Sequence, residues 1–330
     1  MKDYILALDN SRKDLYEQCH QKDFLRNVLG IRGIRGSTAL RWGGAWHAFL
    51  HGFYEVIRQE GWGKKNIALM KGLLEAKKEF ELQTEKAEFI DDYRTLDNLN
   101  TCALQYLDYF GDDDGSLKII FPEEVFEIPF ELTVEEQTLF PFQLALPKIV
   151  FTGQIDLQVE MNEVAWIWEA KTTGQALSIQ SQRLHRSAQI MGYSYAQRVR
   201  GINVEGVLIS FCHFSSRKNK DGVYGKLTTD FQRVPHIFTD GDLVGWRKSF
   251  ISTARDIYLS TIMDNFPMRH SSCFAYNRRC SYAQLCEINK KIPYKFNKNT
   301  LEYKILEVPE GFIEEKWDVR NREEEGRSTE

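Results

Sequence analysis

Three charged side chains fall where one hairpin could converge them. Asp156 lies in the apolar run Ile155-Asp-Leu-Gln-Val159, and Glu169 and Lys171 follow, two apart, after Val164-Ala-Trp-Ile-Trp168. Both runs favour strands, and Glu160-Met-Asn-Glu163 between them suits a turn. Side chains two apart on a strand share a face, so Glu169 and Lys171 point the same way and Asp156 can meet them from the neighbouring strand. Paired carboxylates are hard oxygen ligands suited to Mg²⁺ or Mn²⁺, and such a cation polarises a phosphodiester and lowers the pKa of a bound water. The lysine can then steady the hydroxide or the developing phosphorane charge. Ile155, Leu157, Val159, Trp166 and Trp168 mark a central hairpin, where Asp, Glu and Lys are costly without one another. The plain alternative for any Glu-x-Lys taken singly is a solvated strand end.

The surrounding pattern alternates helix and strand. Residues from about Asp9 to Gly30 suit a helix with Ser11 as its cap, running into Gly30-Ile-Arg-Gly-Ile-Arg-Gly36. From Ser37 to Glu60 the apolar positions Leu40, Trp46, Phe49, Leu50, Phe53, Val56 and Ile57 recur at three and four, which predicts an amphipathic helix with His47 on its polar or boundary side. Residues 61–115 read as a helical insertion closed by Gly111-Asp-Asp-Asp-Gly115. Strand character follows at Val125, Ile128, Phe130, Leu132, Leu144 and Ile149-Val-Phe151. Helical spacing returns from Ser178 to Val199, a strand from Val204 to Phe214, and a helix from Gly241 to Met263.

The chain of 330 residues is expected to form one domain over 1–308, with a cysteine-bearing segment at 264–290 and a charged, mobile tail at 309–330. Its N-terminal apolar run is too short for a signal peptide and no stretch reaches the ~18 apolar residues of a membrane span, so a cytoplasmic protein is expected. There thiols stay reduced, and the six cysteines read as core residues, ligands or nucleophiles rather than disulfides. A net charge of −4 excludes a protein that coats nucleic acid by bulk electrostatics, so any such contact must be local.

Gly153-Gln-Ile-Asp156 followed by Glu169-Ala-Lys171 resembles the PD-(D/E)XK nuclease superfamily, with Ile155 where the eponymous proline would stand. The RecB-like branch commonly lacks that proline, and it carries a histidine on an early helix and a Gln-x-x-x-Tyr after the catalytic lysine. Here Gly43-Gly-Ala-Trp-His47 and Gln189-Ile-Met-Gly-Tyr193 stand in that order. The resemblance implies an α/β core with a mixed central sheet flanked by helices, and a metal-dependent DNA nuclease. It makes His47, Asp156 and Glu169 metal ligands, the Ala170 carbonyl a further one, and Lys171 the residue that orients the attacking water. Gln189 and Tyr193 would position the site or contact DNA. Glu124 and Glu127 could add a carboxylate, as in some relatives.

Cys273, Cys280 and Cys286 cluster late in the chain and Cys19 stands alone near its start. Four thiolates can hold a [4Fe–4S] cluster or a structural zinc, while free cysteines are also ordinary buried hydrophobes. Some RecB-like nucleases, including phage-encoded and CRISPR-adaptation relatives, resemble this one-early, three-late arrangement, which staples the two ends of the nuclease domain together. The gap between Cys273 and Cys280 is wider than in the best-known members. Cys102 and Cys212 read as core.

Arg26, Arg32, Arg35 and Arg41, and Arg217 with Lys218, could line a phosphate track or simply form solvated faces. No Walker-type Gly-Lys-Ser, zinc finger or helix-turn-helix signature occurs. The expectation is therefore a sequence-independent exonuclease on single strands or DNA ends in recombination, replication or repair, with strand separation left to a helicase or recombination partner. Its rivals are an endonuclease of a defence or mobile-element system and a non-catalytic DNA-binding subunit.

Overall fold

Strand β1 (Ile5–Leu8) is the first element of the computed structural model, which describes residues 4–89, 92–142, 144–185, 187–275, 278–287 and 292–316. The helix expected from Asp9 to Gly30 is divided. Helix α1 (Asn10–Gln18) stops at Cys19, whose extended backbone (φ −165°) interrupts the hydrogen-bond ladder before α2 (His20–Asp23) and a π-turn (Phe24–Val28). Its cap is Asp9 rather than Ser11, because the Asp9 carboxylate accepts the Arg12 N–H at 2.6 Å. Strand β2 (Ile31–Gly33) follows.

Helix α3 (Thr38–Glu60) forms as the periodicity predicts, capped by Ser37 and ended by Gly61 at φ +80°. Trp42, Trp46, Phe49 and Phe53 are buried along one face of it. The 61–115 segment is helical, with a 3₁₀ turn (Trp62–Lys64), α4 (Lys65–Lys86) and α5 (Leu96–Asp114). Strand β3 (Lys118–Phe130), the short capped helix α6 (Val134–Gln137) and strand β4 (Lys148–Met161) come next. Leu132 and Leu144 lie in the β3–β4 connection rather than in strands, since Thr133 starts α6 and the Leu144 N–H turns back to the Pro141 carbonyl.

Strand β5 (Val164–Thr173) returns antiparallel to β4 through Asn162 and Glu163, both at positive φ (52° and 64°), the backbone that a two-residue hairpin turn requires. Helices α7 (Leu177–Leu184) and α8 (Ala188–Val199) lead to β6 (Gly206–Ser215), β7 (Thr228–His236) and α9 (Asp240–Met263). The last elements are β8 (Phe274–Ala275), β9 (Arg278–Arg279), α10 (Ala283–Glu287), β10 (Tyr294–Asn297), β11 (Glu302–Ile305) and β12 (Phe312–Glu314).

The fold is α/β with a mixed sheet flanked by helices: β4 and β5 pair antiparallel, β5 and β6 parallel, β6 and β7 antiparallel. The first residues of β4 pair parallel with β1, and β3 also pairs with β4. Contacts divide the chain into two compact units. One takes the segments running to Ile34, Val125–Gly153 and onward from Gly241; the other takes Arg35–Glu124 and Gln154–Asp240. Within the expected tail from 309, Phe312–Glu314 pairs antiparallel with β2, and residues 317–330 lie outside the described residues. Among the described residues no helix is long and apolar enough to cross a membrane.

Candidate active site

The second unit contains all of the sequence-predicted reacting residues. The β4–β5 register places Leu157 opposite Trp168, so Asp156 and Glu169 stand one step beyond that pair. Asp156 Oδ2 accepts the Ala170 N–H at 2.9 Å, which locks the carboxylate across the hairpin. Helix α3 brings His47 Nδ1 to 3.3 Å from Asp156 Oδ1. Glu169 is 1% exposed; its Oε1 accepts from Lys171 Nζ, and its Oε2 is buried with no hydrogen-bond partner. Lys171 Nζ also donates to Gln189 Oε1 at 3.0 Å, and Gln189 Nε2 donates to the Tyr193 hydroxyl at 2.9 Å. Gln189 and Tyr193 share a face of α8 because they are four residues apart.

This cluster shifts its own protonation. Burial and the neighbouring Asp156 push Glu169 up to about 7, against the opposing pull of Lys171. Burial acts on Asp156 in the same direction, but His47, Lys171 and the Ala170 N–H together hold it below the usual carboxylate range. Burial would lower His47 and Lys171, yet the two carboxylates raise both. One carboxylate is thus settled as an anion and the other lacks enough positive charge.

A divalent cation fits that deficit. Two carboxylates and an imidazole supply donors suited to Mg²⁺ or Mn²⁺, and the orphaned Glu169 Oε2 is a buried acceptor awaiting a partner. Among the described residues, no three His, Cys, Asp or Glu side chains already surround a common point closely enough to ligate an ion. Asp156 is instead turned to His47 and Glu169 to Lys171. The profile of the PD-(D/E)XK nuclease superfamily matches residues 10–287. The chain belongs to the PD-(D/E)XK nuclease superfamily. It is therefore a nuclease of a class that generally uses Mg²⁺ or Mn²⁺. No curated protein matches the chain.

The recess beside His47 and Asp156 is lined by further polar residues that sequence reasoning missed. His51 and Glu123 line the same recess as His47 and Asp156, together with Tyr54 and Trp168, and His51 Nδ1 lies 3.5 Å from Glu123 Oε2. His51 was discoverable, since it follows His47 by one helical turn. Glu123 was not, because strand alternation gives no reason to choose it over its neighbours. It adopts φ +49°, a left-handed kink within β3. Glu124, one of the two carboxylates carried over from relatives, is instead bound by Arg200, with both contacts at 2.6 Å, and Glu127 is exposed.

The expected basic track does not survive as a set. Arg41 is 7% exposed and stacks 4.3 Å from the Phe80 ring centre and 4.2 Å from that of Phe89, a buried packing role that removes it from solvent. Arg32 pairs with Glu315 at 3.1 Å, and Arg26 lies against Tyr282 in the first unit. Arg35, Arg217 and Lys218 are exposed on the second.

Cys19, Cys273, Cys280 and Cys286 all belong to the first unit. The Arg269 N–H donates to Cys19 Sγ at 3.4 Å across 250 residues, and Ser272 Oγ donates to the Gln18 carbonyl at 2.6 Å. The Cys280 N–H reaches the Cys273 carbonyl at 2.8 Å. Burial pushes the Cys286 thiol up to about 11, with Cys280, Cys19 and Cys273 adding to the effect, so Cys286 feels each of the other three. Cys102 and Cys212 are buried core residues, their sulfurs 3.4 Å apart.

Proposed function

We propose that the protein is a sequence-independent exonuclease of single-stranded DNA or DNA ends, acting in recombination, replication or repair. The observation that carries this reading is the convergence of Asp156, Glu169 and Lys171, with Glu169 Oε2 buried and unpartnered. Asp156, Glu169 and His47 would hold Mg²⁺ or Mn²⁺, with the Ala170 carbonyl as a further ligand, and the ion would lower the pKa of a bound water and polarise the phosphodiester. Lys171 holds its positive charge at Nζ beside Glu169 and is aimed by Gln189, so it can orient the attacking water and oppose the charge of the phosphorane. Tyr193 fixes the Gln189 amide in turn. Arg35, Arg217 and Lys218 would contact backbone phosphates, and strand separation would come from a helicase or recombination partner.

The four cysteines of the first unit would hold a [4Fe–4S] cluster. The contacts that bring the Cys19 segment to Arg269 and Ser272, beside Cys273, support this reading, as does the soft donor set.

The test is cleavage of end-labelled DNA, single-stranded and duplex, linear and circular, by protein purified without oxygen, with Mn²⁺, Mg²⁺ or EDTA. Metal-dependent loss of linear substrates with circles intact is expected, and Asp156→Ala or Lys171→Ala should lower the rate by about a thousandfold. Equal cutting of circles would make it an endonuclease. Folded, iron-loaded protein that cleaves nothing would overturn the enzymatic reading in favour of a DNA-binding subunit.

A further inference from the structure

Beyond Lys171, β5 runs through Thr172 and Thr173 to a patch of aromatic and cationic side chains outside the reacting centre. Tyr93 and Tyr224 are both half-buried, with ring centroids 5.4 Å apart. Each ring carries a cation: the Arg94 guanidinium, ion-paired with Asp92, lies 4.6 Å from the Tyr93 centroid, and Lys218 Nζ lies 4.7 Å from that of Tyr224. The patch adjoins the strand that carries Lys171, because a Cβ on Gly174 would lie 3.3 Å from the Tyr93 hydroxyl and 3.7 Å from Arg94 Nη2.

Both tyrosines stand on fixed backbone. Asn98 Nδ2 donates to the Tyr93 carbonyl at 2.7 Å, and the Tyr93 ring meets Phe214 edge-on at 5.9 Å. On the other side, the turn between β6 and β7 is closed by a bridge between Lys218 and Tyr224, by Asn219 N–H to the Val223 carbonyl at 2.8 Å and by Gly225 N–H to the Arg217 carbonyl at 3.0 Å. Arg217, Lys220 and Lys226 are exposed on the same turn.

Half-exposed rings among cations suit one kind of ligand. Every nucleobase has a π-face that stacks on an aromatic side chain, and its flanking phosphates are attracted by lysine and arginine. In a duplex those faces are already covered by neighbouring bases, so the ligand must be unpaired. The bare backbone at Gly174 lets the Tyr93 hydroxyl and Arg94 approach the strand end closely, which sets the rings beside it. We propose that Tyr93 and Tyr224, with Arg94 and Lys218, form a subsite that stacks an unpaired base of single-stranded DNA beside the reacting centre. The proposal rests on the nuclease reading above and names the strand form that its site accepts.

The experiment is fluorescence anisotropy of the full chain in EDTA with an oligothymidylate about 15 nucleotides long, an abasic strand of equal charge, and a duplex of equal length. The wild type should bind oligothymidylate about tenfold more tightly than the abasic strand. Tyr224→Ala should erase that preference while keeping the abasic affinity, Tyr224→Phe should keep the preference, and Lys218→Ala should weaken both strands together. Equal binding of the two strands by the wild type, or a preference surviving in Tyr224→Ala, would overturn the subsite. Cleavage with Mn²⁺ separates the two ideas: base preference without cleavage removes the nuclease reading alone, and cleavage without base preference removes the subsite alone.

Discussion

Asp156, Glu169 and Lys171 meet within one hairpin, whereas Cys19 approaches the late cysteines through contacts made 250 residues apart. The first arrangement is set by strand register and backed by a dense frame. Arg233 Nη2 lies 3.0 Å from the buried Asp114 Oδ2 and its guanidinium stacks 4.1 Å from Trp168, the residue that precedes Glu169. Such a frame stays folded when a charge is removed from its edge. The second arrangement is carried by short elements and by a few side-chain bonds to backbone, such as Ser272 to Gln18. There the proposed cluster would act as a crosslink, and losing it would return the entropy of a very long loop. One region should therefore fail in chemistry first, and the other in stability first.

The largest effect should come from the cysteines. Cys280→Ala is expected to give colourless protein with about 2–5 kcal/mol less stability, read as lost iron and a melting temperature roughly 10 °C lower. A brown variant with wild-type iron content would break the comparison by removing Cys280 from the ligand set. Gln189→Ala should do the reverse, slowing cleavage by about tenfold to a hundredfold with unchanged melting, because Lys171 loses its aim but the frame keeps its packing. A large fall in melting temperature would mean that Gln189 serves the fold instead.

The smallest effect sharpens the electrostatic side. Glu169, raised to about 7, keeps its proton below that pH and releases it above, so a proton competes with the cation on the acid side. His47, also raised, competes in the same direction. Mn²⁺ binding to the metal-free protein, followed by calorimetry, should strengthen by about tenfold between pH 6 and pH 8. In Glu169→Gln that dependence should shrink, leaving the contribution of His47. A wild-type affinity independent of pH would show that Glu169 is already ionised in the free site.

Much of this was legible because it is local. The period of three and four over Ser37–Glu60 gave α3, and the turn residues gave the β4–β5 hairpin. Strand spacing brought Asp156, Glu169 and Lys171 together, and the resemblance to the PD-(D/E)XK superfamily added His47 and Gln189, without any knowledge of the strand order. The same reasoning failed at Arg41, where charge suggested solvent but two phenylalanines provide a buried π-lined slot. It failed again at Ser11, displaced as cap by an aspartate two residues earlier.

The sequence by itself determined which side chains could do chemistry and the elements that carry them, because periodicity and hairpin register are properties of neighbouring residues. Only the tertiary structure decided that Glu123 and not Glu124 joins His51 in the recess, since a single left-handed residue in β3 reorients the alternation. It also decided that Glu169, alone of the two central carboxylates, is left short of positive charge. That follows from His47 arriving on α3 beside Asp156, and in a buried site an electrostatic imbalance is set by which groups come within a few ångströms, whatever their distance along the chain.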